Sequence, residues 1–179
     1  MITTAAPANL VDMLRARAQA HPEATAAIYL GDGEDVKAQL SFGELDAQAR
    51  AIAARLQGLG AAGECVLLVY PPGLEFLSAF FGCFYANAVP VPLPLPHSKG
   101  TVAQFPSIIQ DLDARILLTT ATTMTRLRRM ELPGVEALVR LHSEDTSLEL
   151  GAPGARSAPP TTQRRTCSTR PDRRQIARE

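Results

Sequence analysis

An α/β protein, with a largely parallel sheet held between helices, is what this sequence of 179 residues predicts. Three observations point there. Residues 65–70 (CVLLVY) form a nearly unbroken apolar run, short and rich in valine and leucine, as a strand reads when both faces are covered. An apolar stretch over 74–86 follows, with Leu77, Phe80, Phe81 and Phe84 at helical spacing. Val89 and Val91 then resume an extended segment, locked by Pro90, Pro92, Pro94 and Pro96. Strand, crossover helix and strand make a βαβ unit, and such units favour parallel pairing between helical layers.

The elements follow in chain order. Residues 1–8 read as a frayed terminus. Asn9 is an N-cap candidate, and Asp12 falls in the first turn, where negative charge suits the helix dipole. Leu10, Val11, Leu14 and Ala18 would form the apolar face of this helix, which Pro22 ends. Residues 25–30 read as a strand, Gly31-Asp32-Gly33 as a turn and 36–40 as the hairpin partner. Ser41 and Glu44 have the spacing of a capping box. Leu45, Ala49, Ile52, Leu56 and Leu59 then recur at steps of four and three, until Gly58, Gly60 and Gly63 close the helix. Beyond Pro96 a short helix is expected around Ile108, Ile109 and Leu112. Residues 115–119 (RILLT) read as a second buried strand, and 120–131 as a helix carrying Arg126, Arg128 and Arg129. Pro133-Gly134 turns the chain into a weak strand over 135–141. No internal repeat occurs.

Charge divides the chain. Formal net charge is zero, yet residues 151–179 hold seven arginines against two acidic groups, while 1–150 hold 11 basic and 16 acidic groups. The 151–179 segment has one large aliphatic residue, Ile176, and no aromatic. It cannot bury enough surface to offset its ordering entropy, so a disordered tail is expected. Three domains of character result: 1–8, 9–150 and 151–179. No basic stretch precedes an apolar run at the N-terminus, so no signal peptide is read. Residues 76–98 lack charge, but only the part up to Ala86 is densely apolar, short of the roughly 20 residues a span requires. A cytoplasmic protein without a transmembrane segment is expected.

Candidate sites weigh poorly against plainer roles. Cys65, Cys83 and Cys167 show neither metal spacing nor an even count. Cys65 and Cys83 sit in apolar runs and read as core residues. His21, His97 and His142 have no partner at ligand spacing. Arg50 and Arg55 lie off the apolar stripe and read as solvated helix surface. The Pro71-Pro72-Gly73 turn stands where a phosphate loop would follow the strand, but two prolines remove two of the N–H donors such a loop uses. No GxxxxGK[ST] or GxSxG motif occurs. The arginine-rich tail lacks interleaved aromatics, so no nucleic acid is expected as a partner.

The run LLVYPPGLEFLSAFFGCFYANAVPVPLPLP resembles the fatty-acyl-AMP ligases, a branch of the adenylate-forming, acyl-CoA synthetase-like superfamily. Two upstream stretches agree, NLVDMLRARAQAHPEATAAIYL and LSFGELDAQARAIAARLQGLGAAGE. The resemblance is specific over 9–118, weakens towards Leu141 and is gone by Gly151. It implies the N-terminal part of an adenylation domain. The family adenylates a fatty acid with ATP and Mg²⁺ and passes the acyl group to a carrier-protein or CoA thiol. An acyl carrier protein or polyketide synthase is the implied partner of a full-length member. The family's Thr/Ser/Gly-rich loop (LQYTSGST), ribose-binding acidic residue and catalytic lysine have no counterpart here. No catalytic, cofactor-binding or metal residue is therefore assigned, and the chain alone is expected to bind no cofactor. Back-translated one nucleotide earlier, residues 166–174 (TCSTRPDRR) accommodate Leu-Gln-Tyr-Thr-Ser-Gly-Ser-Thr. A frameshift between Leu141 and Thr166, with an out-of-frame tail, is the expectation. The alternatives are a non-catalytic α/β interaction module with a basic tail, and one half of a split ligase.

Overall fold

The computed structural model describes residues 9–145. The expected tail over 151–179 lies outside them. A four-stranded, all-parallel sheet runs β4 (Val89–Leu93), β3 (Cys65–Val69), β5 (Ile116–Thr119), β6 (Val139–His142). A separate antiparallel hairpin is made by β1 (Thr25–Leu30) and β2 (Val36–Ser41). The helices are α1 (Leu10–Ala20), α2 (Phe42–Gly58), α3 (Glu75–Tyr85), α4 (Lys99–Asp111) and α5 (Ala121–Arg129).

The apolar run is the central strand, with all five of its residues buried. Its alternation splits the core in two. Val66, Leu68 and Tyr70 face Leu14, Ile52, Leu56 and Ala79 on α1, α2 and α3. Cys65, Leu67 and Val69 face Phe105, Met124 and Leu127 on α4 and α5. Strand β5 repeats the pattern, with Ile116 and Leu118 on the first side and Leu117 on the second. Burial on both faces is why neither strand shows a polar–apolar alternation.

Local signals set the helix starts. Asn9 Oδ1 accepts from the Asp12 N–H at 2.8 Å. The Ser41–Glu44 capping box is closed in both directions, at 2.8 and 3.2 Å. The backbone N–H of Ser41, with its hydroxyl second, holds the Glu44 carboxyl below its ordinary range. Thr120 caps α5, and the three arginines of its last turn sit where the helix dipole favours positive charge.

Strand β4 lies at the sheet's edge. The Val89 N–H donates to Glu64 O at 2.9 Å, so odd-numbered residues face β3. Pro90 and Pro92 face outward, where a missing N–H breaks no ladder bond.

Several expectations are corrected. Leu10 is 45% exposed, so the α1 face narrows to Leu14 with Val11 beside it. Leu59 is also 45% exposed, because α2 ends at Gly58 and Gly60 (φ 68°) turns the chain away. The short helix expected around Ile108 is the 13-residue α4, started by a Ser98–Thr101 capping pair and carrying Pro106 within it. The strand expected over 135–141 begins only at Val139; Val135–Ala137 forms a 3-10 turn behind Gly134 (φ 88°).

The fully buried side of α3 is Ser78, Ala79, Gly82, Cys83 and Tyr85. Phe80, Phe81 and Phe84 are half-buried. Small residues let α3 approach α2 closely, while Phe76, Phe80 and Phe81 pack against the margin of the same core.

Arg50 and Arg55, expected as solvated surface, are half-buried and hydrogen-bonded. The Arg50 Nε donates to Asp46 Oδ2 at 2.6 Å, and its side chain is 17% exposed. Asp46 Oδ1 accepts from the Tyr85 hydroxyl at 2.5 Å, and the Arg15 guanidinium lies 4.8 Å from the centre of that ring. One carboxylate thus ties α2 to α3, with α1 stacked on top. Arg55 Nη1 donates to His142 O at 3.3 Å, linking α2 to β6. Cys83 is fully buried, free, and pushed up to about 12 by desolvation. Cys65 is buried as expected but is disulfide-bonded.

Candidate functional site

The connections leaving β3 and β5 diverge. The first leads to α3 on one face of the sheet, the second to α5 on the other. In open α/β sheets the crevice at such a point, outside the carboxyl ends of the strands, is where ligands bind. The residues placed there are Tyr70, Thr119, Thr120, Ser143 and Glu144.

They form a connected polar cluster. The Ser143 hydroxyl donates to Thr119 O at 3.2 Å, which leaves its oxygen to accept from the Tyr70 hydroxyl at 2.6 Å. The Thr119 hydroxyl donates to Val69 O, tying β5 to β3. Burial pushes the Tyr70 hydroxyl well above its ordinary range, so it stays protonated. The Thr120 hydroxyl accepts from the Thr123 N–H at 3.1 Å. The Glu144 carboxylate accepts from the Ala121 N–H at 3.1 and 3.2 Å, so the positive end of α5 already holds an internal anion.

Beside this cluster runs a groove of about 550 Å³. Tyr70, Pro71, Pro72 and Phe76 form one wall and Pro92 to Leu95 the other, with Arg126 at the rim. The Pro71-Pro72-Gly73 turn therefore lines a cavity, but with prolyl rings rather than a row of N–H donors. A second depression, about 520 Å³, lies where the hairpin meets α2, lined by Glu23, Thr25, Gln39, Ser41 and Glu44. The Glu44 carboxylate there is engaged in its capping box. The carboxyl-end groove is the better candidate, because the fold's topology and its apolar walls both point to it.

The three histidines stay apart. His21 caps the end of α1, His97 is exposed with Nδ1 3.4 Å from Leu95 O, and His142 ends β6. Among the described residues no group of three or more His, Cys, Asp or Glu side chains is placed to hold a metal ion. Nor, among those residues, is any helix long and apolar enough to cross a membrane. Sequence reasoning missed the Tyr70–Ser143–Thr119 cluster. The Thr-Thr pair ending the RILLTT run was the available signal.

Solved structures of adenylate-forming enzymes share this layout. A fatty acid AMP ligase from Legionella pneumophila superposes with a TM-score of 0.70 at 29% identity, over 79% of this chain and 24% of that one. A fatty acyl-adenylate ligase from L. pneumophila, in complex with acyl adenylate and pyrophosphate, gives 0.70 at 30%. The lobe is thus the α/β fold of the adenylate-forming enzymes. The profile of the AMP-binding enzymes matches residues 14–177, and the chain belongs to that family. The matched span runs past Gly151, where the resemblance read from the sequence stops.

Relatives narrow the branch. The medium-chain-fatty-acid–[acyl-carrier-protein] ligase JamA of Moorena producens is 38% identical over 123 residues, 67% of this chain and 21% of that protein. Disco-interacting protein 2 homolog B of Homo sapiens is 35% identical over 127 residues, 68% of this chain and 8% of that protein. The chain therefore spans 21% of the first of these curated relatives and 8% of the second.

Proposed function

We propose that this chain is the N-terminal scaffold of a fatty-acyl-AMP ligase. The complete enzyme would adenylate a fatty acid with ATP and pass the acyl group to a carrier-protein thiol. The observation that carries the reading is the 38% identity to a ligase named for a medium-chain fatty acid and an acyl carrier protein.

Adenylation gathers charge on phosphate oxygens and a leaving pyrophosphate, so it calls for backbone donors, cations and Mg²⁺. The carboxyl-end groove supplies prolyl rings, apolar side chains and one guanidinium. The nearby Glu144 carboxylate is engaged by α5. This set does not fit a metal-bound triphosphate. The described residues instead order the sheet edge around which such a site could be built.

The 179-residue chain, given decanoic acid, ATP and Mg²⁺, should exchange labelled pyrophosphate into ATP no faster than a protein-free control. Exchange above that background, in protein free of any full-length ligase, would overturn the assignment of a scaffold without chemistry. The out-of-frame origin of 151–179 belongs to the same proposal. Gene sequence between the codons for Leu141 and Thr166 should show the LQYTSGST frame open one nucleotide earlier. If that frame is interrupted, the idea fails.

A second reading has its own support. The similarity to a protein named for an interaction, over the same share of this chain, favours a non-catalytic α/β binding module.

A further inference from the structure

Helix α5 turns Thr123, Met124 and Leu127 into the core and leaves Arg126, Arg128 and Arg129 exposed. Arg126 and Arg129 are three residues apart, so they are neighbours on one helical face, with Arg128 at its flank. A fourth arginine joins them from the sheet. Arg140 of β6 is exposed and pairs in register with Leu117 of β5, which packs with Met124 and Leu127 on the α5 side. Residues 1–150 carry 11 basic and 16 acidic groups, so four of the eleven cations of an acidic body are gathered in one α5–β6 unit. None of the four is neutralised nearby. The ion pairs among the described residues are Arg50–Asp46 and Arg115–Asp113, and neither uses them. Glu131 and Glu136 follow α5 in the chain without pairing to it, and Glu144 is engaged by the Ala121 N–H at the helix's other end. The helix dipole favours positive charge in the last turn of α5, but it does not account for Arg140.

We propose that the arginine face of α5 and Arg140 is an electrostatic docking surface for an acidic acyl carrier protein. This rests on the functional reading above, in which such a carrier accepts the acyl group. Charge complementarity argues for that occupant. Exposed guanidinium groups without carboxylate partners suit a surface that presents carboxylates, through charge-assisted and bidentate hydrogen bonds. The chain's own 151–179 segment is no alternative, since its seven arginines against two acidic groups would be repelled. The exposed arc between the arginines holds Thr122 and Thr125, with no aromatic to stack on a base and no large apolar side chain to enter a bilayer. Position agrees as well. Arg126 stands at the rim of the carboxyl-end groove, so a carrier seated on this face holds its thiol arm beside the crevice.

The test titrates the 179-residue chain into the fluorescently labelled carrier protein that JamA charges, read by anisotropy. A one-to-one complex is expected, weakened at least about fivefold between 50 and 300 mM salt. Arg126→Gln/Arg129→Gln should weaken it at least about tenfold. Arg17→Gln/Lys37→Gln removes the same charge from α1 and the hairpin and should leave it within about twofold. Arg140→Gln, which leaves α5 untouched, should weaken it at least about threefold, and circular dichroism of all variants should match the parent. Absence of binding at low salt overturns the proposal, as does a complex equally sensitive to both double variants. Equal affinity for single-stranded DNA or for anionic phospholipid vesicles, lost in the same α5 variant, also overturns it, because bare negative charge is then the ligand. A separate arm adds excess chain to JamA loading decanoate onto that carrier. Slower loading, relieved by Arg126→Gln/Arg129→Gln, is expected. Binding without slower loading counts against the functional reading and leaves the docking surface standing.

Discussion

Replacing Gly82 with valine should destabilise the lobe by about 3 kcal/mol, through overpacking between two helices that cannot separate. A Cβ built on Gly82 would stand 2.6 Å from Ile52 Cγ2, 2.8 Å from Ile52 Cβ and 3.3 Å from Ala49 O. The methyl could swing aside by rotating χ1, but the Ile52 Cβ and the Ala49 carbonyl are fixed to the α2 backbone. Helix α2 would have to retreat, yet its inner face is locked by Ile52 and Leu56, both essentially without exposure. Removing glycine from a helix interior normally gains up to about 1 kcal/mol against alanine, which is too little to offset the clash. Gly82→Ala should therefore also lose stability, though less. In urea the midpoint should drop for both variants while the slope holds, which separates a change in stability from a change in the unfolded state. Parent-like midpoints would mean that α2 and α3 do not approach this closely in solution.

Asp46→Ala should cost about 2–3 kcal/mol, because it strips partners from two buried or half-buried groups together. The Tyr85 hydroxyl loses its acceptor, and the Arg50 guanidinium loses its counter-charge in a place where its side chain is largely out of water. Asp46→Asn should fall in between, since an amide oxygen can still accept from Tyr85 but carries no charge. A double-mutant cycle with Tyr85→Phe reads the bond itself. With the hydroxyl already gone, Asp46→Ala should cost less than in the parent, so the two losses should not add. Strict additivity would show that the hydroxyl and carboxylate do not act as a pair in solution.

Much of the fold was legible because local rules and tertiary packing agree. The 65–70 run could only be a covered strand, and it is. Ser41 and Glu44 announced a helix start that needs no tertiary partner. The hairpin followed from Gly31-Asp32-Gly33. What stayed hidden was direction. The phenylalanines of α3 and its small residues both recur at helical spacing, so periodicity found the helix without saying which stripe faces inward. Size decided it: with Gly82 and Ala79 inward, α2 comes close, whereas rings there would hold it off. The helix expected around Ile108 runs longer than its apolar residues mark, because α4 starts at the Ser98–Thr101 cap and continues through Pro106. The polar cluster was illegible for a topological reason. Tyr70, Thr119 and Ser143 are far apart in the chain and meet only because three parallel strands end in register.

The prolines of β4 have a consequence for how this sheet may extend. Pro90 and Pro92 offer an incoming strand carbonyls to bond but nothing that donates, so lateral addition there would leave half of each rung unmade. At the opposite border, among the described residues, β6 has no such block, and Val139 is 45% exposed there. Growth of the sheet is thereby polarised: any further strand, whether from a fuller enzyme or from a misassembled neighbour, is admitted beside β6 and turned away at β4.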